Sequence, residues 1–336
     1  MGLFRKLLSI LLIALLLCGC STSKQYTAYT VYPIGYILNR IGGNRINSVS
    51  IQNNNMIQMA RLTPEAADVI DDSIVLFHIG GLEPYMDLYD QDIEETGVDV
   101  VDLSVLNALY KFKRYTPVYV NKNLTFVEDY YYDGEIFEEI DTYDLDPYIW
   151  LSPIGMLSMA KDVNEYLCSN YVEQSEFFNE RYEKLADELI ALDASYNALS
   201  LQLISSNESI KFVSMSASFG CWQKDYGFQT YPICLSKYGA LPSDAQLAQI
   251  KQRIKDDGVK YIAYEPNMSD EMSQLFSELE EELELKRVTL NNISSLTSSQ
   301  IESSKDYMSL MLENLSILRN MATSNVVEEV SQAEEE

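Results

Sequence analysis

One uninterrupted stretch constrains the fold more than any other part of the chain. No glycine or proline occurs between Met156 and Phe219, so nothing within it breaks a helix. Apolar side chains recur there at alternating intervals of four and three residues, at Phe178, Tyr182, Leu185, Leu189, Leu192, Tyr196, Leu199 and Leu203. This spacing predicts one helix from about Ser175 to Leu203, roughly 40 Å long. A coiled-coil partner would show the same pattern, but its position between two other blocks favours a rigid spacer.

Strands and helices alternate on both sides of this predicted spacer. Candidate strands are Ala28–Tyr32, Ile46–Ile51, Ser73–Phe77 and Val98–Leu103 in the first block, and Lys211–Met215, Phe228–Tyr231, Val259–Tyr264 and Leu285–Leu290 in the second. Such alternation predicts parallel sheets covered by helices. We therefore predict an α/β protein of two lobes, each a parallel β-sheet flanked by helices and joined by one long spacer helix. The predicted bounds are 26–172 for the first lobe, 173–205 for the spacer and 206–322 for the second lobe.

The N-terminus has the form of a bacterial lipoprotein signal. Two basic residues precede an apolar run, Leu7–Leu17, that is shorter than the roughly 20 residues a membrane-spanning helix needs. Cys20 follows this run, with a glycine directly before it and a leucine three positions before it. We predict a signal peptide over 1–19, lipid attachment at Cys20 and a tether over 20–25. The protein would then lie on the extracytoplasmic face of the cell membrane, held only by its lipid anchor.

Acidic residues dominate the charge of the chain. Its 51 Asp and Glu residues outnumber 24 Lys and Arg, which gives a formal net charge of −27. This balance argues against a nucleic-acid partner, because neutralising phosphates requires Lys and Arg. The acidic residues concentrate in 128–146, which also contains four tyrosines, and in 323–336. Because like charges at this density repel, we expect 128–146 to be a solvated, mobile loop and 323–336 to be a disordered tail.

Cysteine and histidine are scarce. Cys221 and Cys234 are close enough in sequence to form a disulfide, which would leave Cys168 as a buried thiol, although the sequence leaves the pairing open. The sequence has no Cys-x-x-Cys pair and no Cys/His cluster, so the cysteines do not predict a metal site. His78 is the only histidine and follows a predicted strand, where a backbone partner is expected. Without a Gly-rich phosphate loop or a nucleophile–base pair, the sequence does not predict an enzyme.

Short motifs along residues 26–320 together resemble one known family. Residues 146–153, Asp-Pro-Tyr-Ile-Trp-Leu-Ser-Pro, are similar to the Asp-Pro-His-x-Trp-x-x-Pro element of the substrate-binding lipoproteins of zinc and manganese ABC transporters. Further motifs resemble that family in the same order, among them Ile41-Gly42-Gly43-Asn44, Gly81-Leu82-Glu83-Pro84-Tyr85 and Tyr264-Glu265-Pro266. The resemblance implies two α/β lobes joined by a long helix, a divalent transition metal in the cleft between them, and a membrane ABC permease as partner.

The four positions that match the metal ligands of that family carry other residue types here, namely Gln58, Tyr148, Ser216 and Asn291. Zinc and manganese need imidazole or anionic ligands, with bonds of about 2.0–2.2 Å. Gln, Ser and Asn are neutral, and Tyr has an ordinary pKa of about 10. High-affinity zinc or manganese binding is therefore not expected. The four polar side chains indicate a cleft for an uncharged solute or a partly hydrated ion, and the alternative is that these positions have drifted and bind nothing.

Two functions follow from these observations. The first is a solute-binding lipoprotein of an ABC importer, which closes two lobes over a small solute or metal ion and delivers it to the permease. The second is a lipid-anchored surface adhesin or interaction protein on the same fold, because members of the resembled family have also been described as adhesins. In that case 128–146 is the candidate site for a protein partner.

Overall fold

The computed structural model describes residues 24–53, 57–105, 109–120 and 123–335. The predicted signal peptide 1–19 and the predicted lipid-attachment residue Cys20 lie outside these ranges. Among the described residues, no helix is both long enough and apolar enough to cross a bilayer.

The first lobe is built on a four-stranded parallel sheet. Its strands are β1 (Tyr26–Tyr29), β2 (Ser48–Ser50), β3 (Ser73–His78) and β4 (Asp99–Asp102). Their order across the sheet is β2-β1-β3-β4. Parallel neighbours need crossover connections, which are provided by helices α1 (Tyr32–Gly42), α2 (Ala66–Asp71), α3 (Pro84–Leu88) and α4 (Asp90–Glu95). The first strand ends earlier than its sequence predicts, because Pro33 lies in the first turn of α1 and favours a helix start there.

An antiparallel hairpin follows the first sheet without joining it. It consists of β5 (Arg114–Val120) and β6 (Asn123–Asp129), and the short helix α5 (Glu135–Glu138) comes next. We call residues 110–146 the strap, because this segment lies along the second lobe. The Tyr132 hydroxyl donates to the Pro232 carbonyl at 2.9 Å, and the Lys237 N–H donates to the Asp141 carbonyl at 3.0 Å. The predicted first lobe, 26–172, therefore contains a segment that packs on the second.

The prediction of a solvated, mobile loop over 128–146 is wrong. Three of its four tyrosines are buried, Tyr131, Tyr132 and Tyr143, whereas Tyr130 is 66% exposed. The carboxylates of α5 point outward and are exposed, so water screens their mutual repulsion. Each buried aromatic ring removes about 150–250 Å² of surface from water. Burial of the rings outweighs the repulsion and fixes the segment on the protein.

The predicted long helix is confirmed. After α6 (Pro153–Asn170), helix α7 (Ser175–Ser206) runs for 32 residues, roughly 48 Å at 1.5 Å per residue. Seven of the eight apolar positions in the predicted stripe are buried, and Tyr182 is half-buried. The stripe packs against α1 and α6 of the first lobe. The intervals of four and three residues thus identified both the helix and its buried face.

The second lobe repeats the parallel arrangement. Its strands are β7 (Lys211–Ser216), β8 (Gln229–Cys234), β9 (Tyr261–Tyr264) and β10 (Lys286–Thr289), in the order β10-β9-β7-β8. Its helices are α8 (Gly220–Tyr226), α9 (Asp244–Asp256), α10 (Asp270–Glu282), α11 (Ser298–Glu302) and α12 (Tyr307–Glu335). Helix α12 includes most of the segment 323–336 that the sequence predicts as a tail. The predicted fold class, two parallel α/β lobes joined by one long helix, is confirmed.

One continuous core joins the two lobes through the spacer helix. Helix α7 also packs against α8 and α12 of the second lobe, and the Tyr196 hydroxyl donates to the Met311 carbonyl at 2.8 Å. Two further hydrogen bonds cross between the lobes. Trp150 Nε1 donates to the Asn292 carbonyl at 2.7 Å, and the Tyr307 hydroxyl donates to the Trp150 carbonyl at 2.6 Å. The lobes are thus fixed to each other at the base of the cleft.

Leu189 and Ile190 test the buried face of the spacer helix. The Leu189 side chain is fully buried, so Leu189→Ala should lower the free energy of unfolding by about 2–5 kcal/mol. Ile190 is 52% exposed, and Ile190→Ala should lower it by less than about 1 kcal/mol. Equilibrium urea unfolding of the full chain measures both. Equal losses in the two variants would contradict the assignment of the buried face.

Candidate functional site

Three of the four candidate ligand positions lie at the C-terminal ends of parallel strands or in the segments that follow, and Tyr148 follows the strap. Gln58 belongs to a short 3₁₀ turn between β2 and α2, and Tyr148 directly precedes another such turn. Ser216 is the last residue of β7, and Asn291 follows β10. Parallel α/β sheets bind their ligands at this edge. The topology therefore places Gln58, Ser216 and Asn291 at the ligand-binding edges of the two parallel sheets, and Tyr148 joins them through its contact with Gln58.

Tyr148 is buried and hydrogen-bonded to Gln58. Its side chain is 1% exposed, and Gln58 Nε2 donates to its hydroxyl oxygen at 2.5 Å. The ring packs against Tyr143 and Trp150, with centroid distances of 6.4 and 5.3 Å. Burial raises the pKa of Tyr148 well above its ordinary value of 10. The phenol is therefore neutral at pH 7 and is a poor ligand for a transition metal.

A buried glutamate organises the second-lobe side of the cleft. Glu265 follows β9 and is 0% exposed. One of its oxygens accepts the Ser216 N–H at 2.8 Å, and the other accepts the Ser216 and Ser218 hydroxyls and the Asn292 amide. Burial raises the pKa of Glu265, and these hydrogen bonds partly oppose that shift. The Ser216 hydroxyl is thus already engaged by protein groups.

Asn291 lies beside this cluster, but its side chain has a different partner. Gln300 Nε2 donates to Asn291 Oδ1 at 2.7 Å. Asn314 brackets the Asn291 backbone, accepting its N–H at 2.8 Å and donating to its carbonyl at 2.9 Å. The structure therefore brings Gln58 and Tyr148 into contact and places Ser216 on Glu265, whose charge acts on Tyr148. The Asn291 side chain is held by α11.

No histidine supplements these positions. His78 ends β3 in an environment that contains Asp102 and Asp87. Across the described ranges, no three or more His, Cys, Asp or Glu side chains are arranged to hold a metal ion. The four candidate side chains offer amide, phenol and hydroxyl oxygens. Such donors suit a hard cation or an uncharged solute better than a transition metal.

Sequence reasoning missed two buried glutamates at this edge, Glu265 and Glu83. Glu83 is 3% exposed and accepts a hydrogen bond from the Thr30 hydroxyl, while its second oxygen has no hydrogen-bond partner among the described residues. Burial raises its pKa to about 8. Its charge acts on Tyr143, which packs against Tyr148. Each glutamate stands between a strand and a proline, and this shared pattern is the signal that could have found them.

The disulfide considered between Cys221 and Cys234 is not formed, since both cysteines are free and buried. Cys221 lies in the first turn of α8, where burial and then the nearby Asp146 carboxylate raise the pKa of its thiol. Cys234 ends β8, and its Sγ lies 3.1 Å from the Ala240 carbonyl oxygen. A disulfide needs two Cβ atoms about 3.5–4.5 Å apart and facing each other. Closeness in sequence does not supply that geometry, and the two thiols have separate surroundings here.

The fold and the position of the candidate site define a class of two-lobed receptors that bind a ligand between their lobes. The sequence matches the family model described as ZnuA, zinc-uptake complex component A, periplasmic, over residues 28–321. The chain belongs to this family, and the resemblance predicted from its motifs is confirmed.

Similar proteins show how far this likeness extends. The zinc-binding lipoprotein AdcA of Streptococcus pneumoniae serotype 4 is 28% identical over 187 residues, 56% of this chain and 36% of that protein. The high-affinity zinc uptake system protein ZnuA of Bacillus subtilis strain 168 is 28% identical over 179 residues, 53% of this chain and 54% of that protein. A mutant structure of the laminin-binding adhesin Lmb of Streptococcus agalactiae has a TM-score of 0.69 at 18% identity, covering 88% of this chain and 99% of that one. The matches cover 36–54% of the length of these curated relatives, and the structural likeness shows the fold alone.

Glu83 should make the stability of the protein depend on pH. Its pKa rises from an ordinary 4.5 to about 8 in the folded state. Its contribution to stability is therefore complete below pH 4.5 and is lost as the pH rises through about 8. Glu83→Gln stays uncharged, so the variant should lose less stability than the wild type over this interval. Urea unfolding between these pH values measures the difference.

The matched control for this prediction is Glu94→Gln, because Glu94 is exposed on α4. This variant should keep the pH dependence of the wild type. If Glu83→Gln kept that dependence as well, the buried Glu83 carboxyl would not be its source.

Proposed function

We propose that the chain is the extracytoplasmic solute-binding lipoprotein of a metal-type ABC importer, anchored to the cell membrane through Cys20. It holds its ligand between the two lobes and delivers it to the membrane permease. Membership of the zinc-uptake family and the two-lobed fold support this class of function. A relative named as a zinc-binding lipoprotein supports the anchor.

The second part of the proposal is that the cleft is not a high-affinity site for zinc or manganese. The observation that carries it is the hydrogen bond from Gln58 to the buried hydroxyl of Tyr148. Two of the four positions that match the family's metal ligands bind each other. A metal ion would have to break this bond and draw Ser216 away from Glu265. None of the four side chains would bring a charge to offset the cost of removing water from the ion.

One buried acceptor indicates which hydrogen-bonding groups the ligand carries. Gln58 Oε1 has no hydrogen-bond partner among the described residues. A buried acceptor without a partner costs about 1–3 kcal/mol. A ligand that carries hydrogen-bond donors, either a small polar solute or a hydrated hard cation, would satisfy it. The cleft is therefore proposed to select for donors instead of for a bare transition metal.

The proposal assigns no catalytic residue to the chain. The matched family is described as a zinc-uptake component, and one relative is named a zinc uptake system protein. His78 is not among the four positions. The net charge of −27 disfavours a nucleic-acid partner. The partners proposed are the permease, the membrane through the lipid anchor, and one small ligand.

Thermal unfolding of the chelator-treated full chain tests the proposed cleft. Zinc or manganese should cause no saturable shift of the wild-type transition. A ligand at a hundred times its Kd would stabilise the folded state by about 2.7 kcal/mol, so a tight site would be obvious. A saturable zinc shift that Tyr148→Phe or Ser216→Ala reduces would contradict the proposal, because both variants change the cleft.

A variant with metal-binding residues at the four positions should gain the zinc binding that is not expected of the wild type. Combining Gln58→His, Tyr148→His, Ser216→His and Asn291→Asp restores imidazole and carboxylate donors at the four positions. The folded variant should then be stabilised by zinc in a saturable way, and the matched control Tyr130→His, at an exposed position, should not. If the variant folds by circular dichroism and zinc leaves its transition unchanged, these four residues do not form the site.

A further inference from the structure

A second cavity, of about 480 Å³, lies at the opposite end of the second sheet from the cleft. Lys211 and Gln229, the first residues of β7 and β8, line it, whereas Ser216 of the cleft is the last residue of β7. The strap and the C-terminal end of α7 form its other walls. The volume is in the range of small-molecule sites, about 300–1,000 Å³. This cavity is separate from the proposed solute site.

Arg114 of the strap lines this cavity and has an unused donor. The residue is 6% exposed, and its terminal nitrogen donates to the Tyr231 hydroxyl at 3.0 Å and to the Asp257 carboxylate at 3.1 Å. Its Nε–H is buried and has no hydrogen-bond partner among the described residues. A buried charged group left without a partner is costly. The Arg114 Nε–H thus requires an acceptor that the described protein groups do not provide.

Gln229 also lines the cavity and has an unused acceptor. The residue is 4% exposed, and its Nε2 donates to the Tyr115 carbonyl at 3.0 Å, while its Oε1 is buried without a partner among the described residues. Gln229 and Tyr231 are two positions apart on β8, so their side chains lie on the same face of the sheet. Arg114 binds Tyr231, and Arg114 and Gln229 both line the cavity.

The charge of the cavity is unusual for so acidic a chain. Arg114, Lys211 and Arg253 line it together with two carboxylates, Asp257 and Glu208. Asp257 is already occupied, since it accepts hydrogen bonds from Arg114, Arg253 and Tyr231. These partners lower its pKa to about 2 against the effect of its burial, so its charge is matched inside the protein. The lining retains one excess positive charge.

We propose that this cavity binds a small carboxylate that also carries a hydroxyl or amino group, such as a hydroxy acid. The carboxylate accepts the Arg114 Nε–H and is attracted by the excess positive charge. The neighbouring O–H or N–H of the ligand donates to Gln229 Oε1. The ligand thereby bridges the strap and the second lobe, and it satisfies both unused groups at once.

Calorimetric titration of the full chain with lactate and with propionate tests this site. The two probes have the same carbon skeleton and the same charge, and only lactate carries the hydroxyl. Lactate should bind roughly tenfold more tightly than propionate, because only lactate has a donor for Gln229 Oε1. Equal affinity would contradict the role of Gln229, and no heat from either probe at millimolar concentration would contradict the site.

Variants at the cavity test whether lactate binds there. Arg114→Lys keeps the charge and loses the Nε–H, so lactate affinity should fall roughly tenfold. If that variant does not fold by circular dichroism, Lys211→Gln removes one half-buried charge and should weaken both probes several-fold. The matched control is Lys161→Gln, an exposed position on α6, and it should bind like the wild type. If Lys211→Gln also binds like the wild type, the probes bind outside this cavity and the proposal is wrong.

Discussion

The Glu265 carboxylate sets the constraint on which the cleft depends. A carboxylate at 0% exposure has to be surrounded by donors, because leaving it unpaired in the interior is prohibitively costly. Its donors come from the end of β7 and from Asn292 after β10, so one buried charge ties these two segments together. Tyr148 and Gln58 meet this arrangement from the first lobe. The candidate site is therefore a cluster in two halves, each held by its own hydrogen bonds, and a ligand that binds these side chains would have to break some of them.

The rest of the fold holds the two halves of that cluster in place. Helix α7 packs on both lobes along one buried stripe, and Trp150 and Tyr307 hydrogen-bond across the base of the cleft. The strap leaves the first lobe, lies along the second and returns at Tyr148. Arg114 and Tyr132 anchor it to the second lobe. Movement of one lobe against the other must therefore carry the strap or break its contacts.

Sequence reasoning succeeded where periodicity or order along the chain decides the structure. The stripe from Phe178 to Leu203 predicted the helix correctly, because apolar side chains at intervals of four and three residues share a face only in a helix. It failed where side chains compete. The carboxylates of 128–146 suggested a solvated loop, but the tyrosines between them are buried instead. The sequence also does not show the hydrogen-bond partners of the candidate residues, because the glutamate that binds Ser216 lies 49 positions away. Cys221 and Cys234 were near in sequence, yet their thiols have different surroundings.

We propose that the hydrogen bond between Gln58 and Tyr148 replaces a transition-metal site in this chain of the zinc-uptake family. The most direct test is the amount of zinc bound per chain after equilibrium dialysis. The dialysis buffer contains zinc and a competing chelator, and elemental mass spectrometry measures the bound zinc. Far less than one zinc per wild-type chain is expected. One zinc per chain, lost in Tyr148→Phe, would contradict the proposal.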